Sequence, residues 1–326
     1  MNAQPELAIV IINYRTHQMT CECLESLLPE LASGDMKVLV VDNASGDDSV
    51  NVLERWIKNS GTNKIQLVAS ETNGGFAAGN NIGISYISAN NYLLLNSDTI
   101  VRAGAIKLLL NTIKTQQSAG LVSPRLEWLD GQSQQSCFNL HTPISEFLHA
   151  AKSGPLSNLF KKYVVAKPVQ DILSYSAWTS FACVIIRGEV LAEVGLLDEG
   201  FFMYFEDAEF CYRVTKAGWK IVNDPRAHVV HLRGGSSPLK AQTRLRKRLP
   251  KYYFESRSRY FYIIYGHAGL LVANILWTAG ALISGFRSLI SSSYIPDISE
   301  KQWRDIWTNF FNPLKDYSHP DDYPKT

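Results

Sequence analysis

The stretch Tyr92-Leu93-Leu94-Leu95-Asn96-Ser97-Asp98 constrains this chain most. An apolar run, short enough to cross a domain once, stops abruptly at three polar residues. The apolar half reads as a buried strand of an α/β sheet. The polar half then falls at the carboxyl end of that strand, where open α/β sheets bind ligands. A carboxylate there is placed to hold a divalent cation, and a cation there can hold a diphosphate. Asp98 is therefore the point on which other residues are expected to converge.

Three further strands precede it. Leu7–Ile12 is a continuous, largely β-branched run, as expected of a strand buried on both faces, and it stops at Asn13-Tyr14. From His17 the pattern turns helical, with Leu24, Leu27, Leu28 and Leu31 on one face and a close near Gly34. Val38–Val41 is a second strand, ending at Asp42-Asn43. Asp47 is placed to cap a helix that carries Val50, Leu53, Trp56 and Ile57 inward. Ile65–Val68 is a third strand, and the stretch from Asn73-Gly74-Gly75 through Gly79-Asn80-Asn81 opens a helix to about Ser88. This alternation predicts an α/β, doubly wound, mostly parallel sheet of Rossmann-like type.

Carboxyl ends of parallel strands share one edge, so Asn13, Asp42-Asn43 and Asn96-Ser97-Asp98 are expected in one crevice. Asp42 can accept hydrogen bonds from a ribose or a base. Gly74 and Gly75 let backbone approach a ligand closely. Taken singly, each cluster reads equally well as a capping turn or a tight turn. Together with Asp98 they read as a nucleotide site. No G-x-G-x-x-G follows the first strand, which disfavours a dinucleotide site.

In this order, the segments IVIINYRT, VLVVDNASGDDS, NGGFAAGNNIGI and YLLLNSDT resemble the donor half of inverting family 2 glycosyltransferases with the GT-A fold. The nearest subgroup is the rhamnosyltransferase-like enzymes of bacterial polysaccharide assembly, and the resemblance covers about residues 7–265. It implies a nucleotide-diphospho-sugar donor, dTDP-rhamnose or a UDP-sugar, and Mg²⁺ or Mn²⁺. It puts Asp42 on the nucleoside, with Asn13, Asn43, Gly74, Gly75, Asn80 and Asn96 around the donor. Asp98 becomes a metal ligand, as the last residue of a D-x-D position that here reads Asn96-Ser97-Asp98. The first carboxylate of that position is missing, so the metal must lean on another ligand.

Beyond the metal strand, Ala105–Ile113 reads as a helix and Gly120–Ser123 as a strand. Pro143–Ser174 reads as a long loop or small helical insert over the site, the usual place for acceptor specificity, with Lys161-Lys162 a solvated face. Ser176–Ile186 reads as one strand; its Trp178 either stacks on a sugar or packs inside. Glu206, Asp207 and Glu209 then crowd the start of a helix on which Glu206, Glu209 and Arg213 share a face. Acids suit a helix N-terminus by themselves. The aromatic approach Phe201-Phe202-Met203-Tyr204-Phe205 adds an apolar wall, which raises a carboxylate's pKa and suits it to general-base work. The resemblance makes Asp207 the catalytic base and Glu206 its positioning partner.

Trp219–Val222 reads as a short strand that turns at Asp224-Pro225. His228 and His231 are three apart on an extended segment and face opposite sides, which argues against a shared metal. The family's H-x-x-G-x-S pattern matches His231–Ser236. By resemblance it places His231 on the metal, and Arg233 or the amides of Gly234-Gly235 on the leaving diphosphate.

The expected division is a transferase domain over 1–236, with a donor half to about 123 and an acceptor half after it, and a helical appendage over 237–326. Lys240–Arg259 carries eight Lys or Arg against one acid, interleaved with aromatics. Ala268–Phe286 has no charge. It approaches the roughly 20 residues of a membrane span, but Asn274, Gly280 and Ser284 dilute it. An interfacial helix on an anionic membrane, a buried or dimer-forming helix, and a true span all remain open. A formal net charge of +2 and no accompanying motif disfavour nucleic acid. Five cysteines without paired spacing favour a reducing compartment. The polar start Met1–Glu6 and short apolar run after it do not make a secretory signal. The expectation is thus a cytoplasmic enzyme at the inner face of the membrane, glycosylating a glycan or lipid-linked acceptor for cell-surface polysaccharide. A sugar nucleotidyltransferase is disfavoured, because Asn13–His17 stands where its Gly-rich basic loop would be. A non-catalytic scaffold that binds a sugar nucleotide in a membrane assembly complex is the third reading.

Overall fold

The computed structural model describes residues 4–232 and 239–322. In chain order the elements are β1 (Leu7–Asn13), α1 (His17–Ser33), β2 (Met36–Asp42), α2 (Ser49–Asn59), β3 (Ile65–Ala69), α3 (Gly75–Tyr86), β4 (Asn91–Asn96), β5 (Thr99–Val101), α4 (Ala105–Thr115), β6 (Ala119–Glu127) and β7 (Cys137–Phe138). Then come α5 (Pro143–Ala151), α6 (Gly154–Leu159), β8 (Ser174–Ser176), β9 (Trp178–Thr179), β10 (Cys183–Arg187), α7 (Gly188–Val194), α8 (Glu206–Lys216), β11 (Lys220–His231), α9 (Leu239–Arg244), α10 (Lys251–Ile290) and α11 (Gln302–Asp305). The chain divides into two compact units: 1–138, 168–199 and 210–236 form the first, and 139–167, 200–209 and 237–326 the second.

The first unit carries a sheet in the order β3-β2-β1-β4-β10-β6-β11-β5, with β8 added on β11. β1 pairs in parallel with β2 and β4, β2 with β3, and β6 with β11, so the expected mostly parallel sheet is present. β10 runs antiparallel between β4 and β6. β1 explains the two-sided burial: Leu7, Ile9 and Ile11 join a core with α1, α2 and α4, while Ala8 and Val10 join a core with α3, α7 and α8. That is the period of two of a strand covered on both faces. α3 lies so close on β1 that a Cβ on Gly83 would sit 2.2 Å from Val10 Cγ1.

Two local expectations are corrected. Ser176–Ile186 is not one strand. The chain leaves the main sheet so that β9 can pair with β7, held by Thr179 Oγ1 and Ser180 N–H donating to Ser136 O at 3.1 and 2.9 Å. Asp224-Pro225 does not turn the chain. β11 runs through it with a register irregularity, which suits a proline that lacks an N–H for the ladder. Asp224 instead accepts from the Arg226 N–H at 3.1 Å. Of the two forms expected for 143–174, the structure has the small helical insert, α5 and α6. A capping box starts α5, with Thr142 Oγ1 accepting from Ser145 N–H at 3.1 Å and Ser145 Oγ from Thr142 N–H at 2.8 Å.

In the second unit α10 packs along α5 around Ala150, Leu249, Phe254, Trp277 and Ile306. A Cβ on Gly280 would stand 2.4 Å from the Phe147 carbonyl oxygen, so only glycine permits this approach. Gly266 (φ 67°, ψ −174°) breaks α10 into two helical stretches. Arg257, one of the eight basic residues counted over Lys240–Arg259, is inside. Its Nε donates to Glu146 Oε2 at 2.8 Å and its Nη1 to Asn274 Oδ1 at 2.7 Å.

Candidate active site

The register of the sheet assembles the first cluster. Asn13 and Asp42 are paired at the carboxyl ends of β1 and β2, and Ile12 is opposite Asn96 at the end of β4. The Asn13 amide donates to Asp42 Oδ1 at 2.7 Å and to Ser45 Oγ at 3.1 Å, while its carbonyl accepts from Thr20 Oγ1 at 2.8 Å. Ser45 donates to Asp42 twice, Oγ to Oδ1 at 2.6 Å and N–H to Oδ2 at 3.1 Å. Asn13 is thereby spent on holding Asp42, whose four acceptor sites are not exhausted by these three bonds. Thr16 Oγ1 lies 3.1 Å from Ser97 Oγ and joins this network to the Asp98 turn.

Asn43 donates to Asn73 Oδ1 at 2.8 Å and to Gly75 O at 3.0 Å, while its own carbonyl oxygen is buried with no partner. Gly75 begins α3 at φ 81°, a conformation that favours glycine. Gly74 caps the same helix, and a Cβ there would meet Ala78 Cβ at 2.6 Å. Asn80 is turned into its own helix, donating to Phe76 O at 2.9 Å. The Asn96 carbonyl accepts from Thr99 Oγ1 at 2.7 Å.

β5 and β11 bring the second pair together. His231 is opposite Thr99, and Leu232 N–H donates to Asp98 O at 2.9 Å. Asp98 Oδ1 and His231 Nε2 then lie 3.3 Å apart, with Asp98 7% and His231 9% exposed. Gln134 Nε2 donates to His231 O at 2.6 Å and to Glu127 O at 3.0 Å, fixing the strand end. His228 faces the other way and meets Glu127 Oε2 at 2.7 Å. His231 Nδ1 is buried without a hydrogen-bond partner. Among the described residues no group of three His, Cys, Asp or Glu gathers as a metal cage. One carboxylate and one imidazole still fit Mg²⁺ or Mn²⁺, which complete their shells with water and substrate phosphate. Arg233, Gly234, Gly235 and Ser236 lie outside the described residues.

In the second unit, Glu206 and Asp207 start α8 directly after Tyr204 (φ 71°) and Phe205 (φ 69°). Two consecutive left-handed non-glycine residues cost of order 1–3 kcal/mol each, strain that concentrates at functional sites. The Phe205 ring sits 5.0 Å from His141, 5.4 Å from Tyr260 and 5.6 Å from Tyr253. Burial pushes Glu206 well above the carboxylate range, with the Asp207 charge adding to it, and Glu206 Oε2 has no hydrogen-bond partner. Burial also pushes Asp207 up to about 7, against the Ala208 N–H that donates to its Oδ1 at 2.8 Å. Asp207 keeps part of its surface open. Burial drives His141 down to about 4, so this ring is a neutral wall at physiological pH.

Three sequence-named residues, Asn43, Glu206 and His231, thus carry a buried polar atom with no partner, the kind of group that calls for a ligand or a catalytic role. Ser45, Thr16, Thr20 and Gln134 were not foreseen. Ser45, three residues after Asp42, carries a local turn signal; Gln134 carries none. Asn81 was also missed as a clamp: its Nδ2 donates to Leu197 O and Glu199 Oε1, both at 2.9 Å. Trp178 stacks on Phe138, centroids 4.2 Å apart.

Residues 5–249 match the family model described as glycosyltransferase like family 2. Over 215 residues the chain is 29% identical to the low-salt glycan biosynthesis hexosyltransferase Agl10 of Haloferax volcanii; the match covers 65% of this chain and 62%, under two thirds, of that protein. Over 275 residues it is 23% identical to the N-acetylglucosaminyl-diphospho-decaprenol L-rhamnosyltransferase of Mycobacterium tuberculosis, covering 79% of this chain and 84% of that one. A mannosyltransferase from Pyrobaculum calidifontis, solved in complex with GDP-Man and Mn²⁺, superposes with a TM-score of 0.53 at 14% identity, covering 96% of this chain and 86% of that one. At that identity the likeness is one of fold.

Proposed function

Since the chain belongs to glycosyltransferase family 2 and is a GT-A transferase, we propose that it moves a sugar from a nucleotide-diphospho-sugar to an acceptor hydroxyl with inversion. The observation that carries this reading is the Asp98–His231 pair, 3.3 Å apart, at the same sheet edge as the held Asp42 carboxylate. Asp42 and Asn43 take the nucleoside, and Gly74-Gly75 lets backbone approach the donor. A Mg²⁺ or Mn²⁺ on Asp98 and His231 supplies, when bound, a Lewis acid for the leaving diphosphate.

Asp207 takes the proton from the acceptor hydroxyl. That oxygen bonds to the anomeric carbon as the carbon–oxygen bond to the diphosphate breaks, and the nucleoside diphosphate leaves with the electron pair. A pKa near 7 suits Asp207 to this task at neutral pH. Glu206 positions Asp207 or the acceptor. The rhamnosyltransferase relative supports a rhamnosyl donor, which we take to be dTDP-rhamnose, and, through its diphospho-decaprenol name, a lipid-linked acceptor; UDP-hexoses are the alternative donors. A lipid-linked acceptor places the enzyme at the inner face of an anionic membrane.

A thermal-shift screen against dTDP, UDP and GDP, each with and without Mn²⁺, tests the donor site. The expected result is a metal-dependent shift with one nucleotide, about 2.7 kcal/mol of stabilisation at one hundred times its dissociation constant. Asp98→Ala abolishes it. A shift indifferent to metal and to Asp98 overturns the assignment.

A further inference from the structure

α10 is long and apolar enough to cross a membrane, yet only 33% of its most apolar stretch is buried. After the break at Gly266 the helix has two faces. Leu270, Ala273, Asn274, Trp277, Gly280 and Ser284 are buried. Leu271, Ile275, Leu282, Phe286, Leu289 and Ile290 stand on the opposite side and are exposed, Leu282 at 71% and Leu289 at 84%. At 100° per residue these sets centre roughly 180° apart. An ordinary amphipathic helix exposes its polar face; this one exposes an apolar face and hides Asn274 and Ser284.

Cations gather where that exposure is greatest. Arg287, near the end of α10, donates to the Lys152 carbonyl at 2.9 Å. Lys152 pairs with Asp297, whose carboxyl is held below its usual range by Lys152 and, more weakly, by His149 and Arg246. Arg244 and Lys247 are exposed in the same turn as Arg246. No acid occurs between Glu255 and Asp297. Trp303, 69% exposed, and the ring chain Trp307–Phe310–Phe311 add interfacial aromatics, and Phe310 lies 6.3 Å from His267 just after the break.

We propose that the exposed face of α10 beyond Gly266 is a monotopic membrane anchor, lying in the plane of an anionic leaflet with Lys152, Arg246 and Arg287 on the phosphate headgroups. This deepens the membrane contact of the proposed function and rests on that reading. A span is excluded by packing. The 24 residues after Gly266 would reach about 36 Å, enough to cross, but crossing would drag α5 and the buried Glu146–Arg257 pair into hydrocarbon. A second copy of the chain would meet the same excess of cations over the acids Asp297 and Glu300, whereas anionic lipid complements it.

Flotation of the full chain with phosphatidylcholine vesicles, with and without phosphatidylglycerol, tests the anchor. Binding is expected only with phosphatidylglycerol, weakened by salt, released by alkaline carbonate, and reduced about fivefold by Arg246→Ala. The pair Leu282→Glu and Leu289→Glu, both at exposed positions, abolishes flotation and leaves the nucleotide thermal shift unchanged. Absence of flotation, flotation indifferent to the two glutamates, or retention through carbonate overturns the proposal. Absence of a nucleotide shift in the unmodified chain would instead overturn the proposed donor site, whatever the vesicles show.

Discussion

Asp207 owes its raised pKa to burial, and this has two separable consequences. The base form accumulates as pH rises through about 7, so kcat/KM for transfer is expected to climb across that range. Asp207→Asn removes the proposed base and should lower kcat by about 10²–10⁴-fold while leaving nucleotide affinity intact, as calorimetry would read. Stability moves the other way. A carboxyl whose folded pKa lies above its unfolded value stabilises while protonated in the folded state, and that contribution is lost as pH rises from about 4 to about 7. The Asn variant should therefore melt higher than the parent at pH 8 and no higher at pH 4. Equal melting at both would mean that the carboxyl is well solvated. Cys23 is a contrasting case: burial, with the Asp98 charge adding to it, pushes its thiol up to about 12 and leaves it inert.

Among elements, contacts through glycine set how closely helices approach. Gly83→Ala forces a methyl onto Val10 at the α3–β1 contact and should cost about 1–3 kcal/mol in urea denaturation. The α5–α10 contact is joined differently, through a buried ion pair. Arg257→Met leaves Glu146 buried and uncompensated and should cost about 3–5 kcal/mol, whereas adding Glu146→Leu should recover most of the loss. A double mutant as unstable as the single would assign the loss to packing rather than charge. The shortest elements escape a reading of the sequence for one physical reason. β9, β8 and α6 have two, three and six residues, too few for a period to emerge, and their places are set by partners distant in sequence.

At the scale of the whole molecule, the sheet gathers Asn13, Asp42 and Asp98, the residues proposed for the nucleotide, in one unit, while the second unit bears the raised carboxylates and the exposed apolar helix face. Hydrogen exchange with saturating nucleotide and Mn²⁺ should slow amides around Asn13, Asp42–Ser45 and Asp98 and leave the second stretch of α10 unchanged; protection confined to α10 would contradict the donor assignment. By itself the sequence determined the alternation of β1 to β4 with α1 to α3, because long apolar runs and helical periods are local properties of the chain. It also singled out Asp42, Asp98, Glu206, Asp207 and His231 through motif and resemblance. Tertiary structure alone decided that β5 and β11 pair so as to set His231 beside Asp98, and that Asn13 serves to hold Asp42. It also decided that Arg257 is an internal ion-pair partner rather than a surface cation, and that α10 turns its apolar side outward. Each of these depends on which side chain meets which across tens to hundreds of residues, and hydrophobic periodicity says that a face is apolar without saying what covers it.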